Sequence, residues 1–149
     1  MPDKIVTILI ADDDPDDRMM IQDAFDENKL ANNLVFVENG EELLDYLFNR
    51  GDYTDQLKYQ PPGLVLLDLN MPKLDGREAL KEIKSNASLS QIPVIILTTS
   101  QAEEDICSSY SLGVNSFITK PITFDSLVNI IKSLAYYWFQ IVELPPALK

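Results

Sequence analysis

Polar and apolar positions along this chain alternate on two length scales. Short apolar runs, such as Leu64-Val65-Leu66-Leu67 and Val94-Ile95-Ile96-Leu97, are separated by longer stretches with apolar residues three and four apart. Runs of that kind read as parallel strands buried on both faces, and the stretches between them read as covering helices. The pattern predicts strands over residues 4–11, 33–37, 64–68, 93–97 and 115–119. It predicts helices over 15–29, 40–49, 75–86, 102–112 and 123–139. Local chemistry supports several of these ends. Asp14 can cap a helix that has Pro15 at its first position. Glu103, Glu104 and Asp105 lie where a helix N-terminus favours negative charge, and Gly113 suits a left-handed exit after Leu112. Residues 51–63 have no clear period and predict a loop. Strand–helix alternation without an internal repeat implies a doubly wound α/β domain with right-handed crossovers.

Four of the apolar runs end on polar groups. Asp12 and Asp13 follow the first, Asp68 the third, Thr98 the fourth and Lys120 the fifth. In open parallel sheets the strand C-termini share one edge, and ligands bind there. Three carboxylates, one hydroxyl and one ammonium are therefore expected around a single crevice. Clustered carboxylates repel one another, and an oxygen-liganded divalent ion such as Mg²⁺ relieves that repulsion. Such an ion also neutralises charge on a phosphoryl group during transfer. Taken singly, each group has a plainer reading. The Asp12–Asp14 run can be a solvated helix cap, Asp68 a turn residue, Thr98 a strand-end hydroxyl, and Lys120-Pro121 a turn. Their joint placement at strand ends favours a site.

Composition narrows the function class. A length of 149 residues fits one domain that buries roughly 70% of its unfolded surface. A net charge of −12 opposes binding to nucleic acid and to anionic membranes. The one cysteine, Cys107, cannot form an internal disulfide, which suits a reducing, cytoplasmic setting. No apolar run approaches the roughly 20 residues of a membrane span. The chain has no histidine, which excludes a Ser-His-Asp triad and a His-ligated zinc.

With these motifs in place, the chain resembles the receiver domain of two-component response regulators from about Lys4 to Phe139. The matching segments are Ile8-Leu9-Ile10-Ala11-Asp12-Asp13, Leu66-Leu67-Asp68-Leu69-Asn70-Met71-Pro72, Asp75-Gly76, Val94-Ile95-Ile96-Leu97-Thr98-Thr99 and Phe117-Ile118-Thr119-Lys120-Pro121. The resemblance implies a flavodoxin-like fold with five helices on a five-stranded sheet of order 2-1-3-4-5. It implies Asp68 as phosphoacceptor, with Mg²⁺ held by Asp12, Asp13, Asp68 and the backbone carbonyl of Asn70. Thr98 and Phe117 would be the switch pair, and Lys120 the ammonium that binds the phosphoryl group. The protein would accept its phosphoryl group from a sensor histidine kinase and signal through protein contacts rather than turn over a substrate. Only 29 residues follow Lys120, so the expectation is a single receiver domain over 1–149 with no effector attached. The 51–63 insertion and the apolar tail resemble stand-alone regulators that partner phytochrome kinases.

On the last helix Leu127, Ile131, Leu134 and Trp138 form a core-facing stripe. Ile130, Tyr137 and Ile141 form a second stripe, and residues 140–149 extend it as an interaction tail. This predicts a homodimer through the last helix and tail. Two other classes compete. A haloacid dehalogenase-type phosphatase also uses Mg²⁺ and an aspartyl-phosphate, but it needs its nucleophile on the first strand with a second Asp two residues on. Here Asn70 stands two beyond Asp68. A phosphorylation-independent binding module gives no reason for Asp13, Asp68, Thr98 and Lys120 to occur together.

Overall fold

The computed structural model describes residues 6–29, 33–99, 102–120 and 123–135. Five strands, β1 (Thr7–Ala11), β2 (Asn33–Val37), β3 (Leu64–Leu67), β4 (Val94–Thr98) and β5 (Ser116–Thr119), form one parallel sheet of order β2-β1-β3-β4-β5. The helices between them are α1 (Pro15–Glu27), α2 (Gly40–Leu47), α3 (Gly76–Ser85), α4 (Glu103–Leu112) and α5 (Phe124–Ala135). Strand alternation splits the core into two layers. Leu9, Val65, Leu67, Val94 and Ile96 face Leu43, Leu80 and Ile83 on α2 and α3. Ile8, Ile10, Leu64, Leu66, Ile95 and Leu97 face Ile21 and Phe25 of α1 with Leu127 and Ile131 of α5. This two-sided burial accounts for the unbroken apolar runs in β1, β3 and β4.

Helix ends follow local chemistry. The Asp14 side chain accepts from the Asp16 N–H at 2.8 Å, and Gly113 exits α4 at φ 101°. The helix predicted to reach residue 29 stops at Glu27, because Lys29 takes a left-handed φ of 54°. The segment predicted as a loop contains a short 3₁₀ turn, Gly51–Tyr53. It is stapled by aromatic packing: Tyr53 meets Tyr46 at 5.2 Å and Tyr59 at 5.0 Å between ring centroids, both edge-on. The buried Tyr46 hydroxyl donates to the Gln60 carbonyl at 2.7 Å. Burial, with Tyr59 alongside, pushes the Tyr46 phenol up to about 12. Among the described residues no helix is long and apolar enough to cross a membrane.

Candidate functional site

Strand pairing continues one residue beyond three strand ends and fixes the site. The Asp12 N–H donates to the Val37 carbonyl at 3.0 Å, the Asp68 N–H to the Ala11 carbonyl at 3.0 Å, and the Lys120 N–H to the Thr98 carbonyl at 2.7 Å. Asp12, Asp68 and Lys120 are each held by the last carbonyl of a neighbouring strand. Their side chains are buried, as is that of Thr98. A glycine closes the floor. A Cβ at Gly76 would overlap the Asp68 carbonyl and lie 2.6 Å from the Leu69 Cα, so α3 begins in direct contact with the Asp68 backbone.

The Lys120 ammonium sits among carboxylates. Its Nζ donates to Asp12 Oδ2 at 2.6 Å, Asp17 Oδ2 at 2.8 Å and Asp68 Oδ2 at 3.4 Å. Burial alone would lower the Lys120 pKa. Hydrogen bonds to Asp12 and Asp17, with the charges of Asp12 and Asp68, hold it above the ordinary lysine value instead. Burial pushes the Asp12 carboxyl up in spite of Lys120 and the Asp14 N–H, and the charge of Asp68 adds to that rise. One ammonium thus leaves carboxylate charge at this edge uncompensated.

Asp13 is exposed beside the buried pair, and one oxygen from each of Asp12, Asp13 and Asp68 lies within 4.8 Å of the others. Three hard carboxylate oxygens from two adjacent strand ends, carrying surplus negative charge, fit a divalent cation of the oxygen-seeking class. Soft metals that need thiolate or imidazole do not fit this donor set.

A second polar group lies on the other flank. The Asn70 N–H donates to Asp68 Oδ1 at 3.0 Å, and its Nδ2 donates to Thr99 Oγ1 at 3.0 Å and Thr98 Oγ1 at 3.4 Å. Arg77, in the first turn of α3, donates to Asn70 Oδ1 at 3.3 Å. It also grips Asp105 of α4 with two bonds of 2.7 and 2.6 Å. Hydrogen bonds to Asp105, and less so to Asp75, outweigh burial and raise the Arg77 pKa.

All the residues predicted at the strand ends are therefore brought to one edge. Phe117 is half-buried on β5, paired in register with Ile96, two residues before Thr98 on β4. Ile130 is half-buried and lines an apolar crevice between α5 and the sheet with Leu66, Leu97 and Ile118, so part of its surface is packed within the domain. Tyr137, Trp138, Ile141 and residues 140–149 lie outside the described residues. Sequence reasoning missed Asp17 and Arg77, and read Asp105 only as helix N-terminal charge. Asp17 had one readable signal, an acidic residue at the third helical position of the helix that follows Asp12 and Asp13.

The response regulator receiver domain family matches residues 8–132. The chain belongs to this family. Response regulator Rcp1 of Synechocystis sp. is 36% identical over 140 residues, 94% of this chain and 93% of Rcp1. The phosphorylated cyanobacterial phytochrome response regulator RcpA matches with a TM-score of 0.87 and 39% identity, covering 96% of this chain and 100% of that one. The Mn²⁺-bound form of Rcp1 matches with a TM-score of 0.84 and 35% identity, over 95% of this receiver and 99% of that chain. Phosphorylation-activated signalling follows from this membership. The dehalogenase-type alternative is not favoured, and Asp68 does not lie on the first strand.

Proposed function

We propose that this receiver takes a phosphoryl group on Asp68 from a sensor histidine kinase, with Mg²⁺ bound by Asp12, Asp13, Asp68 and the Asn70 carbonyl. The observation that carries the reading is the buried Asp68 carboxylate at a strand end, flanked by Asp12, Asp13 and the Lys120 ammonium. The Asp68 oxygen attacks phosphorus, the bond to the kinase imidazole nitrogen breaks, and that nitrogen keeps the electron pair. When bound, the ion neutralises charge on the transferring oxygens. Lys120 holds the product and Thr98 bonds one of its oxygens. Phe117 then changes burial as Thr98 moves, a two-state response to the new contacts.

The kinase is of the phytochrome type, a reading supported by the phytochrome response regulator RcpA, whose whole length this chain matches. The receiver acts in the cytoplasm through protein contacts, without turnover of another substrate and without nucleic-acid or membrane binding. Its homodimer surface is the last helix with Ile130, Tyr137, Ile141 and the 140–149 tail. Incubation with acetyl phosphate, with and without chelator, followed by intact-mass measurement, tests the central assignment. The expected result is one Mg²⁺-dependent phosphoryl group on the parent and none on Asp68→Asn. Equal labelling of both would overturn it.

A further inference from the structure

Lys120 has a partner that the proposed chemistry leaves unused. Asp17 is the third residue of α1, a position from which an acidic side chain ordinarily reaches back to the N–H of the capping residue. Here that N–H, from Asp14, already donates to Asp12 Oδ1 at 3.0 Å. Asp17 instead turns toward the sheet edge and accepts from Lys120 Nζ at 2.8 Å, closer than Asp68 at 3.4 Å. Asp17 is also outside the carboxylate group whose oxygens converge for a cation, which comprises Asp12, Asp13 and Asp68.

We propose that Asp17 is a positioning residue that holds the Lys120 ammonium toward α1 and away from Asp68, restraining phosphorylation of the resting receiver. The inference rests on Asp68 being the phosphoacceptor. A cation on Asp12 competes with Lys120 for that carboxylate, which leaves the ammonium Asp17 at 2.8 Å as its closer partner and Asp68 at 3.4 Å as its farther one. To meet a phosphoryl oxygen on Asp68, Lys120 must loosen this ion pair. A lysine ammonium suits such an exchange, being a point charge on a flexible stem with three rotatable donors.

The test measures the rate at which acetyl phosphate labels the protein at saturating Mg²⁺. The Asp68 oxygen forms a bond to phosphorus as the donor's P–O bond breaks, and acetate leaves with the electron pair. Asp17→Asn is nearly isosteric and should label roughly threefold to tenfold faster than the parent, the range expected for releasing a partly exposed charged pair. In a Lys120→Ala background, Asp17→Asn should change the rate by less than about twofold, because the restraint acts through Lys120. Asp17→Ser serves as a second variant if Asn perturbs the melting temperature. An unchanged rate in Asp17→Asn overturns the inference. So does an equal acceleration with and without Lys120, which would mark a general field effect on the anionic donor. Asp68→Asn runs alongside: labelling there overturns the phosphoacceptor assignment, whereas Asp68-dependent labelling with no Asp17 effect overturns this inference alone.

Discussion

The two flanks of the Asp68 edge are built from different cations, and the difference separates a part that moves from a part that holds. On the β5 side a buried lysine is shared among Asp12, Asp17 and Asp68 at 2.6, 2.8 and 3.4 Å. On the α3 side a half-exposed arginine fork engages Asp105 through two parallel bonds and touches Asp75 and Asn70 as well. An ammonium can redistribute among acceptors by rotating a flexible stem, whereas a planar guanidinium in bidentate contact is fixed in direction. The lysine flank is therefore suited to exchanging partners when charge appears on Asp68. The arginine flank ties the start of α3 to the start of α4, so a change at Asn70 has a rigid connection to that helix.

The most damaging way to break this arrangement is at the floor that both flanks share. Gly76→Ala places a methyl group against the Asp68 carbonyl and Leu69 backbone, neither of which can give way as a side-chain tip would. The expected loss is about 3 kcal/mol of stability, measured by urea denaturation, with phosphorylation lost in parallel. Lys120→Ala comes next. It leaves the buried Asp12 carboxylate without its closest cation and should cost about 2 kcal/mol, part of which Mg²⁺ restores. A melting temperature that does not respond to Mg²⁺ in this variant would tell against a shared cation site.

Arg77→Lys tests the holding flank. Losing the fork should cost about 1 kcal/mol and speed hydrogen exchange in the first turn of α4, while Lys120 and its carboxylates stay unaffected. If the exchange rates in α4 are unchanged, the fork does not couple the two helices. The smallest effect concerns pH. The Tyr46 phenol titrates at about 12 in the folded chain against an ordinary value of 10.0. The neutral form is favoured in the native state, so its contribution is fully present below pH 10 and is lost as pH rises through 12. Lys120, held above its ordinary 10.5, gives way in the same direction. Tyr46→Phe should therefore flatten only part of the alkaline loss of stability, seen as a shallower fall of the urea midpoint between about pH 10 and 12.

Much of this architecture was legible because it is written locally. The β2 run 33–37 and the starts of α1 and α2 fall where the apolar pattern and the Asp14 cap place them. The strand ends carrying Asp12, Asp68, Thr98 and Lys120 were readable for the same reason, since a buried parallel strand must stop where the polar groups begin. The spatial order of the strands came from family resemblance, because alternation alone does not fix which strands are neighbours. What could not be read is which long side chain selects which partner. The Lys120–Asp17 pair spans 103 positions and the Arg77–Asp105 pair 28, and neither leaves a periodic trace. The 3₁₀ turn at Gly51–Tyr53 was hidden similarly, since the ring packing that holds it uses Tyr46 and Tyr59 on either side.

The seclusion of Lys120 has a consequence for chemical probing. Amine-acylating reagents need an accessible, uncharged nitrogen, and this side chain is only 7% exposed and held protonated by its neighbours. Lys81, with 61% of its side chain exposed, reacts as an ordinary surface amine. The ratio of the two acylation rates in one sample is thus a built-in clock for how often the Asp68 edge opens, readable by peptide mass without a dye, a tag or a substituted residue.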